Sequence, residues 1–244
     1  GIQSPLKNIG PAELDWVIVR ENTEGEYSGA GGRVHPKLPQ EVGIDVSVFT
    51  RDGIERVMRY AFELALTRPK KQLTLVTKSN AQRHGMVLWD EVFENLKHDY
   101  PGITTDRMLV DAITTRMVLQ PQSLDTIVAT NLHADILSDL AAALSGSLGI
   151  GPTANINPER TFPSMFEPIH GSAFDLVGKD LANPLGAFWS CVMMLEHLQE
   201  KKGASLLMSA IEEVCQEGRH LPIDLGGNSC TGEVTTAVCA ALKK

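Results

Sequence analysis

Asp125-Thr-Ile-Val-Ala-Thr130, followed at once by Asn131-Leu-His-Ala-Asp135-Ile-Leu-Ser-Asp139, decides how this chain is read. An apolar, β-like run stops, and a helical pattern starts and continues to about Leu144. Asp135 and Asp139 are four residues apart, so on a helix they stand on one face, one turn from each other. Like charges so placed repel. A divalent cation held by carboxylate oxygens, Mg²⁺ or Mn²⁺, removes that repulsion. Taken alone, the spacing fits two solvated aspartates on an exposed face more simply.

Outward from this junction the same alternation recurs. Residues 14–19 read as a buried strand ending at Arg20. Residues 28–39 are rich in Gly and Pro, too polar for core and too long for a simple turn. Residues 44–49 alternate like a half-exposed strand. Thr50 and Asp52 then signal a helix start, residues 54–66 are amphipathic, and Pro69 marks the stop. A strand at 73–76, a helix at 84–100 before Pro101-Gly102, a strand at 104–110, a short helix at 113–119 and the strand at 126–130 follow. This βαβα order predicts an α/β sheet with helices packed on it.

Beyond Gly146-Ser-Leu-Gly-Ile-Gly-Pro152 the character changes. Residues 155–184 read mostly as loop, and helices are expected at 185–201, 204–217 and 232–242. A boundary is therefore placed near residue 150. Residues 1–150 form a central α/β part, and 151–244 form a second part on the same scaffold. The opening residues 1–11 look like mid-chain sequence, so native residues are expected before Gly1.

A net charge of −8 argues against a nucleic-acid binder, which needs a basic stripe. The longest apolar candidate, 185–198, is interrupted by Ser190, Glu196 and His197, so no run reaches membrane-spanning length. Cys191, Cys215, Cys230 and Cys239 form no C-x-x-C pair. Cys191 and Cys215 sit in apolar helical patterns, so buried thiols in a reducing cytoplasm are expected. There is no Gly-rich G-x-G-x-x-G phosphate turn.

Four segments carry candidate chemistry. In Arg20-Glu-Asn-Thr-Glu-Gly-Glu-Tyr27 the arginine follows a strand, where a guanidinium can clamp a substrate carboxylate, and Tyr27 offers a weak acid. In Thr74-Leu-Val-Thr-Lys78-Ser-Asn80 a lysine closes an apolar strand, the position that faces the ligand crevice in α/β sheets. Such a lysine can serve as a base or simply reach solvent. Asp111 is another carboxylate at a strand's end, able to join Asp135 and Asp139 or to cap a helix. Last come Glu167-Pro-Ile-His170-Gly-Ser-Ala-Phe-Asp175 and Asn183-Pro184. Their polar groups suit a nucleotide, and Asp175 can accept from a ribose diol while repelling a 2′-phosphate.

These segments, with G-S-L-G-I-G after the aspartate helix, resemble the metal-dependent β-decarboxylating hydroxyacid dehydrogenases, in the family's own order from about residue 13 onward. The resemblance implies an isopropylmalate dehydrogenase-like, two-part α/β scaffold lacking its N-terminal part, roughly a hundred residues. That part would supply sheet strands, two more substrate arginines and part of the nicotinamide site. The resemblance also implies Mg²⁺ or Mn²⁺ on Asp111, Asp135 and Asp139, Lys78 as base, Tyr27 as proton donor and Arg20 on the substrate carboxylate. NAD would lie against His170, Gly171, Ser172, Ala173, Asp175 and Asn183.

The family works as a homodimer with shared sites, the lysine and one aspartate coming from the neighbouring subunit. The insert at about 26–46 corresponds to its intersubunit arm. Phe174, where the isopropylmalate branch usually has Pro, and T-L-V-T-K-S-N look more like the tartrate and D-malate branch. The alternatives are 3-isopropylmalate as substrate, or a catalytically silent fragment. A metal phosphatase or lyase built on D-x-x-x-D would leave residues 170–184 without a role.

Overall fold

The computed structural model of the chain describes residues 2–10 and 13–243. Contacts divide it into two compact units, Pro11–Leu140 and Gly1–Gly10 with Ala141–Lys244.

The first unit is built on a parallel sheet. Its strands are β1 (Val17–Arg20), β4 (Gln72–Thr77), β5 (Thr104–Leu109) and β6 (Thr126–Ala129), in the order β1-β6-β4-β5. Register pairs Val17 with Thr126, Leu73 with Thr126 and Gln72 with Thr104, all parallel. The two central strands are buried along nearly their whole length. That burial explains their unbroken apolar runs, because a strand covered on both faces has no reason to alternate.

Helix α1 (Arg51–Thr67) begins where the sequence signals it. Thr50 caps it by accepting from Gly53 N at 3.0 Å, and Arg68 leaves the helix ahead of Pro69. Its buried stripe, Ile54, Val57, Met58, Ala61, Phe62 and Ala65, has helical spacing. Helix α2 (Gly85–Leu96) packs beside it, with the Phe62 and Phe93 rings stacked at 5.4 Å and Phe62 and Tyr100 at 4.7 Å. The expected helix to Tyr100 tightens instead into a 3-10 turn at Lys97–Asp99. The residue before Pro101 is barred from the helical region.

Helix α3 (Val110–Leu119) starts three residues earlier than expected, so Asp111 lies in its first turn rather than at the strand's end. A carboxylate there complements the helix dipole. Helix α4 (Asn131–Leu144) follows β6, with His133 N bonded to Thr130 Oγ1 and Ala134 N to Thr130 O.

The Gly/Pro-rich stretch holds regular structure after all. Strand β2 (Gly25–Val34) pairs antiparallel with β3 (Val42–Val48), and His35 and Lys37 turn the chain with positive φ of 55° and 67°. Strand β3 was expected to be half-exposed, yet every residue in it is exposed. Its alternation gives one apolar face, Val42, Ile44, Val46 and Val48, continued on β2 by Val34 and Ala30. No described residue of its own unit covers that face.

At the opposite, N-terminal end of the sheet, Asp125 is 1% exposed and accepts from Arg68 Nε at 2.5 Å. The Arg68 Nη2 also reaches the Asp15 carbonyl at 2.7 Å. Lys70 binds the Gln122 and Leu124 carbonyls at 2.9 and 3.0 Å.

The second unit pairs β7 (Pro152–Asn155) with β8 (Met165–Pro168) and packs α5 (Leu185–His197), α6 (Lys201–Glu217) and α7 (Thr231–Ala241) around Leu185, Val192, Ile211, Val214, Val234 and Val238. Helix α5 ends four residues earlier than expected. Gln199 takes a positive φ of 66° and Glu200 N bonds back to Leu195 O at 2.8 Å, closing the helix before α6 begins. Cys215 is buried and its thiol pKa is pushed up by that burial. Cys191, expected inside, is exposed, because α5 buries Leu185, Gly186, Ser190 and Val192 on its other side. No helix among the described residues is long and apolar enough to cross a membrane.

Arg68→Ala would leave Asp125 as a buried carboxylate without its cation, at a cost of about 3–5 kcal/mol. A clear fall in the urea unfolding midpoint is the expected result, and an unchanged midpoint would refute this role for the pair.

Candidate active site

In a parallel sheet all strands end at one edge, and here each exit delivers a candidate residue. Arg20 ends β1, Asn131 opens α4 after β6, Lys78 follows β4, and Asp111 follows β5. The strand order places β1 beside β6 and β4 beside β5. Although β6 also adjoins β4, the hydrogen bonds sort the candidates into two groups.

In the first group, Arg20 Nη1 binds Asp135 Oδ1 at 2.6 Å, while Nε and Nη2 bind Asn131 Oδ1 at 3.1 and 2.7 Å. Tyr27 Oη donates to Asp135 Oδ2 at 3.1 Å, and the guanidinium carbon lies 5.6 Å from the Tyr27 ring centre. The hydrogen bond to Asp135 raises the phenol's pKa above its ordinary value, because the neighbouring carboxylate disfavours phenolate. Asp139 lies one turn further along α4 and is exposed.

The intervening E-N-T-E-G-E residues, which sequence reasoning left without roles, are anchors. Glu24 accepts from Thr50 N and Oγ1 at 2.9 and 2.7 Å, at the start of α1. Glu26 accepts from Thr130 Oγ1 at 2.8 Å and Leu132 N at 3.2 Å, at the start of α4. Both are carboxylates at helix N-termini, where the dipole favours them. Gly25, with φ of 95°, provides the bend between them, and a Cβ there would also crowd Phe49 at 3.2 Å. Glu21 is buried and accepts from Thr23 N at 2.7 Å and Arg56 at 3.4 Å.

The second group is a pair: Lys78 Nζ lies 2.5 Å from Asp111 Oδ1, and the ammonium holds the Asp111 pKa below its ordinary value. Strands β6 and β5 are two spacings apart, roughly 10 Å. Among the described residues of the chain, no three potential ligands come together. The donor set itself, three carboxylates, suits a hard cation such as Mg²⁺ or Mn²⁺. His133 is buried, and burial holds its imidazole toward the neutral form.

The 170–183 segment lies in the other unit. His170 Nδ1 donates to the Gly171 carbonyl at 2.8 Å. Gly171 and Ala173 have positive φ of 69° and 40°, bending the chain around Ser172, and a Cβ on Gly171 would meet nothing within 4 Å. Asp175 is exposed in the 3-10 turn Phe174–Leu176. Asn183 Oδ1 accepts from Leu185 N at 2.9 Å, and its Nδ2 donates to Asp224 at 2.9 Å. A Cβ on Gly149 would lie 2.6 Å from Asp224 Oδ2 and 3.0 Å from Asn183 Nδ2, so this concave corner requires glycine. Sequence reasoning missed Asp224, since P-I-D-L-G-G reads as an ordinary turn.

The isocitrate/isopropylmalate dehydrogenase family matches residues 1–240. A probable tartrate dehydrogenase/decarboxylase of Agrobacterium vitis is 65% identical over 99% of the chain and 67% of its own length. D-malate dehydrogenase (decarboxylating) of Escherichia coli K12 is 48% identical over 98% of the chain and 67% of its own length. The chain thus spans about two thirds of these relatives. A crystal structure of isocitrate dehydrogenase from Methylococcus capsulatus superposes on the whole chain and 70% of its own, with a TM-score of 0.91 and 38% identity. The chain belongs to the isocitrate/isopropylmalate dehydrogenase family, a family of oxidoreductases, and has its α/β fold.

Proposed function

We propose that this chain carries out NAD- and divalent-metal-dependent oxidation and β-decarboxylation of a 2-hydroxy dicarboxylic acid, tartrate or D-malate. The observation that carries the proposal is the sorting of the candidate residues at one sheet edge. Arg20, Tyr27 and Asp135 form one cluster, and Lys78 with Asp111 forms another. Each cluster is half of what the reaction needs, so two chains complete each other. The names of the relatives support the substrate class. The exposed apolar face of the β2–β3 hairpin fits a second copy of the chain as its cover. The four free thiols fit a reducing cytoplasm.

When bound, the metal would acidify the substrate hydroxyl and offset negative charge on oxygen as CO₂ departs, and NAD would accept the hydride from C2. Asp135 and Asp139 of one chain and Asp111 of the other would hold the metal. Lys78, as the neutral amine, takes the proton from the C2 hydroxyl. Arg20 grips a substrate carboxylate. It has five N–H donors and spends three on Asn131 and Asp135, which leaves two for a substrate. Tyr27 returns a proton to the carbon that lost CO₂. His170, Gly171, Ser172, Ala173, Asp175 and Asn183 would hold the adenosine half of NAD, with Asp175 selecting NAD over NADP.

Four outcomes are expected. In the native protein with Mn²⁺, Asp135→Asn lowers turnover of D-malate, tartrate or 3-isopropylmalate by at least about 10²-fold, and near-normal rates would remove the metal assignment. Among the three acids, the isopropylmalate rate should be the lowest. Ile44→Glu with Val46→Glu converts the dimer to monomer in light scattering and abolishes turnover while circular dichroism keeps its helical signal, whereas a persisting dimer would exclude the hairpin as interface. Asp175→Ala weakens NAD binding by calorimetry about tenfold and narrows the gap to NADP. Unchanged affinities for both would reassign that carboxylate.

A further inference from the structure

Behind the Lys78–Asp111 pair lies a second layer that the proposed chemistry does not use. Asp90, on α2, is 8% exposed. Its Oδ2 accepts from Ser79 Oγ at 2.7 Å and from Arg107 Nη1 at 3.0 Å. Its Oδ1 is buried with no hydrogen-bond partner among the described residues. Ser79 directly follows Lys78, and Arg107 lies on β5 four residues before Asp111. One carboxylate oxygen therefore links the turn that carries the lysine to the strand that leads into the aspartate.

The turn has bonds of its own. Ser79 N reaches Thr77 Oγ1 at 3.3 Å, and Ala81 N and Gln82 N both reach Lys78 O at 2.9 Å. These fix its local shape, while the Ser79–Asp90 bond fastens it to α2 and, through Arg107, to β5. A buried carboxylate is a costly way to fill space, since an apolar side chain would need no desolvation. Asp90 has one partly exposed arginine as its ion-pair partner, and its links to both the lysine turn and β5 suit a task in positioning.

We propose that Asp90 is a positioning residue: through Ser79 and Arg107 it sets the reach of the Lys78 side chain relative to Asp111, and so aligns the amine with the substrate hydroxyl. The proposal rests on the reading of Lys78 as the base. Misplacement of a reacting group by about 1 Å can cost on the order of 10²-fold in rate.

The test uses the native protein and the variants Asp90→Ala, Asp90→Asn, Ser79→Ala and the Ser79→Ala/Asp90→Ala double variant, with steady-state kinetics and amide hydrogen exchange. Asp90→Ala and Ser79→Ala should each lower kcat about 10- to 100-fold with KM for NAD unchanged. The double variant should be no slower than the slower single one, because both changes break one link. Asp90→Asn should retain most of the rate, since its amide oxygen still accepts from Ser79 and Arg107. Exchange protection at Ala81 and Gln82 should fall in the two alanine variants and persist in Asp90→Asn. An Asp90→Asn variant as slow as Asp90→Ala, additive losses in the double variant, or undiminished turnover would overturn the proposal. If the native protein oxidises none of the three acids, the dehydrogenase reading fails by itself. Exchange then decides separately, and unchanged protection at Ala81 and Gln82 in Asp90→Ala would end the positioning role.

Discussion

The constraint on which this structure turns is that its four sheet strands run the same way. Parallel strands finish at one edge, so whatever follows each of them in sequence is gathered there regardless of how far apart the strands lie in the chain. Arg20, Lys78, Asp111 and Asn131 span more than a hundred positions of sequence, yet Arg20 ends its strand and the other three sit one or two residues past theirs. The strand order then decides which of them meet. Hydrogen bonds join two pairs of neighbouring exits, Arg20 with Asn131 and Lys78 with Asp111. Among the described residues, exits two spacings apart are not so joined.

The short segment between Arg20 and Tyr27 converts that gathering into fixed geometry. Its alternating glutamates diverge around Gly25, one to the start of α1 and the other to the start of α4. Each satisfies backbone or hydroxyl donors at a helix entrance, where N–H groups lack partners within the helix. With both ends tied, the segment delivers Tyr27 to Asp135. Acid residues that contribute nothing to the proposed chemistry thereby hold in place the groups that do.

Much of this was legible in the residues themselves. The central strands announce themselves by uninterrupted apolar runs, and α1 by Thr50 at one end and Pro69 at the other. Arg20 and Lys78 could be singled out because a charged residue closing an apolar run has few places to go except an exposed sheet edge. Other features left no local trace. Strand β2 is written in glycines, which favour no strand, and it exists because β3 pairs with it. The gap between α5 and α6 depends on Gln199 adopting a left-handed backbone, which no periodicity signals. Cys191 lies in an apolar run whose outward side is as apolar as its inward one, so the pattern could not say which way the thiol points. Asn131 and Asp224 act through pairing with residues more than 40 positions away, and such partners emerge only once the chain is folded.

The β2–β3 ribbon has a consequence for how the molecule survives in a cell. Two strands joined to each other, with no core beneath them, are marginally stable in water. Their order must then be borrowed from whatever settles on Val42, Ile44, Val46 and Val48. At high dilution the ribbon would be the first part to open and the first to be nicked by a protease, while the sheet beneath Arg20 stayed intact. Lifetime, as well as activity, would thus rise with the abundance of the protein.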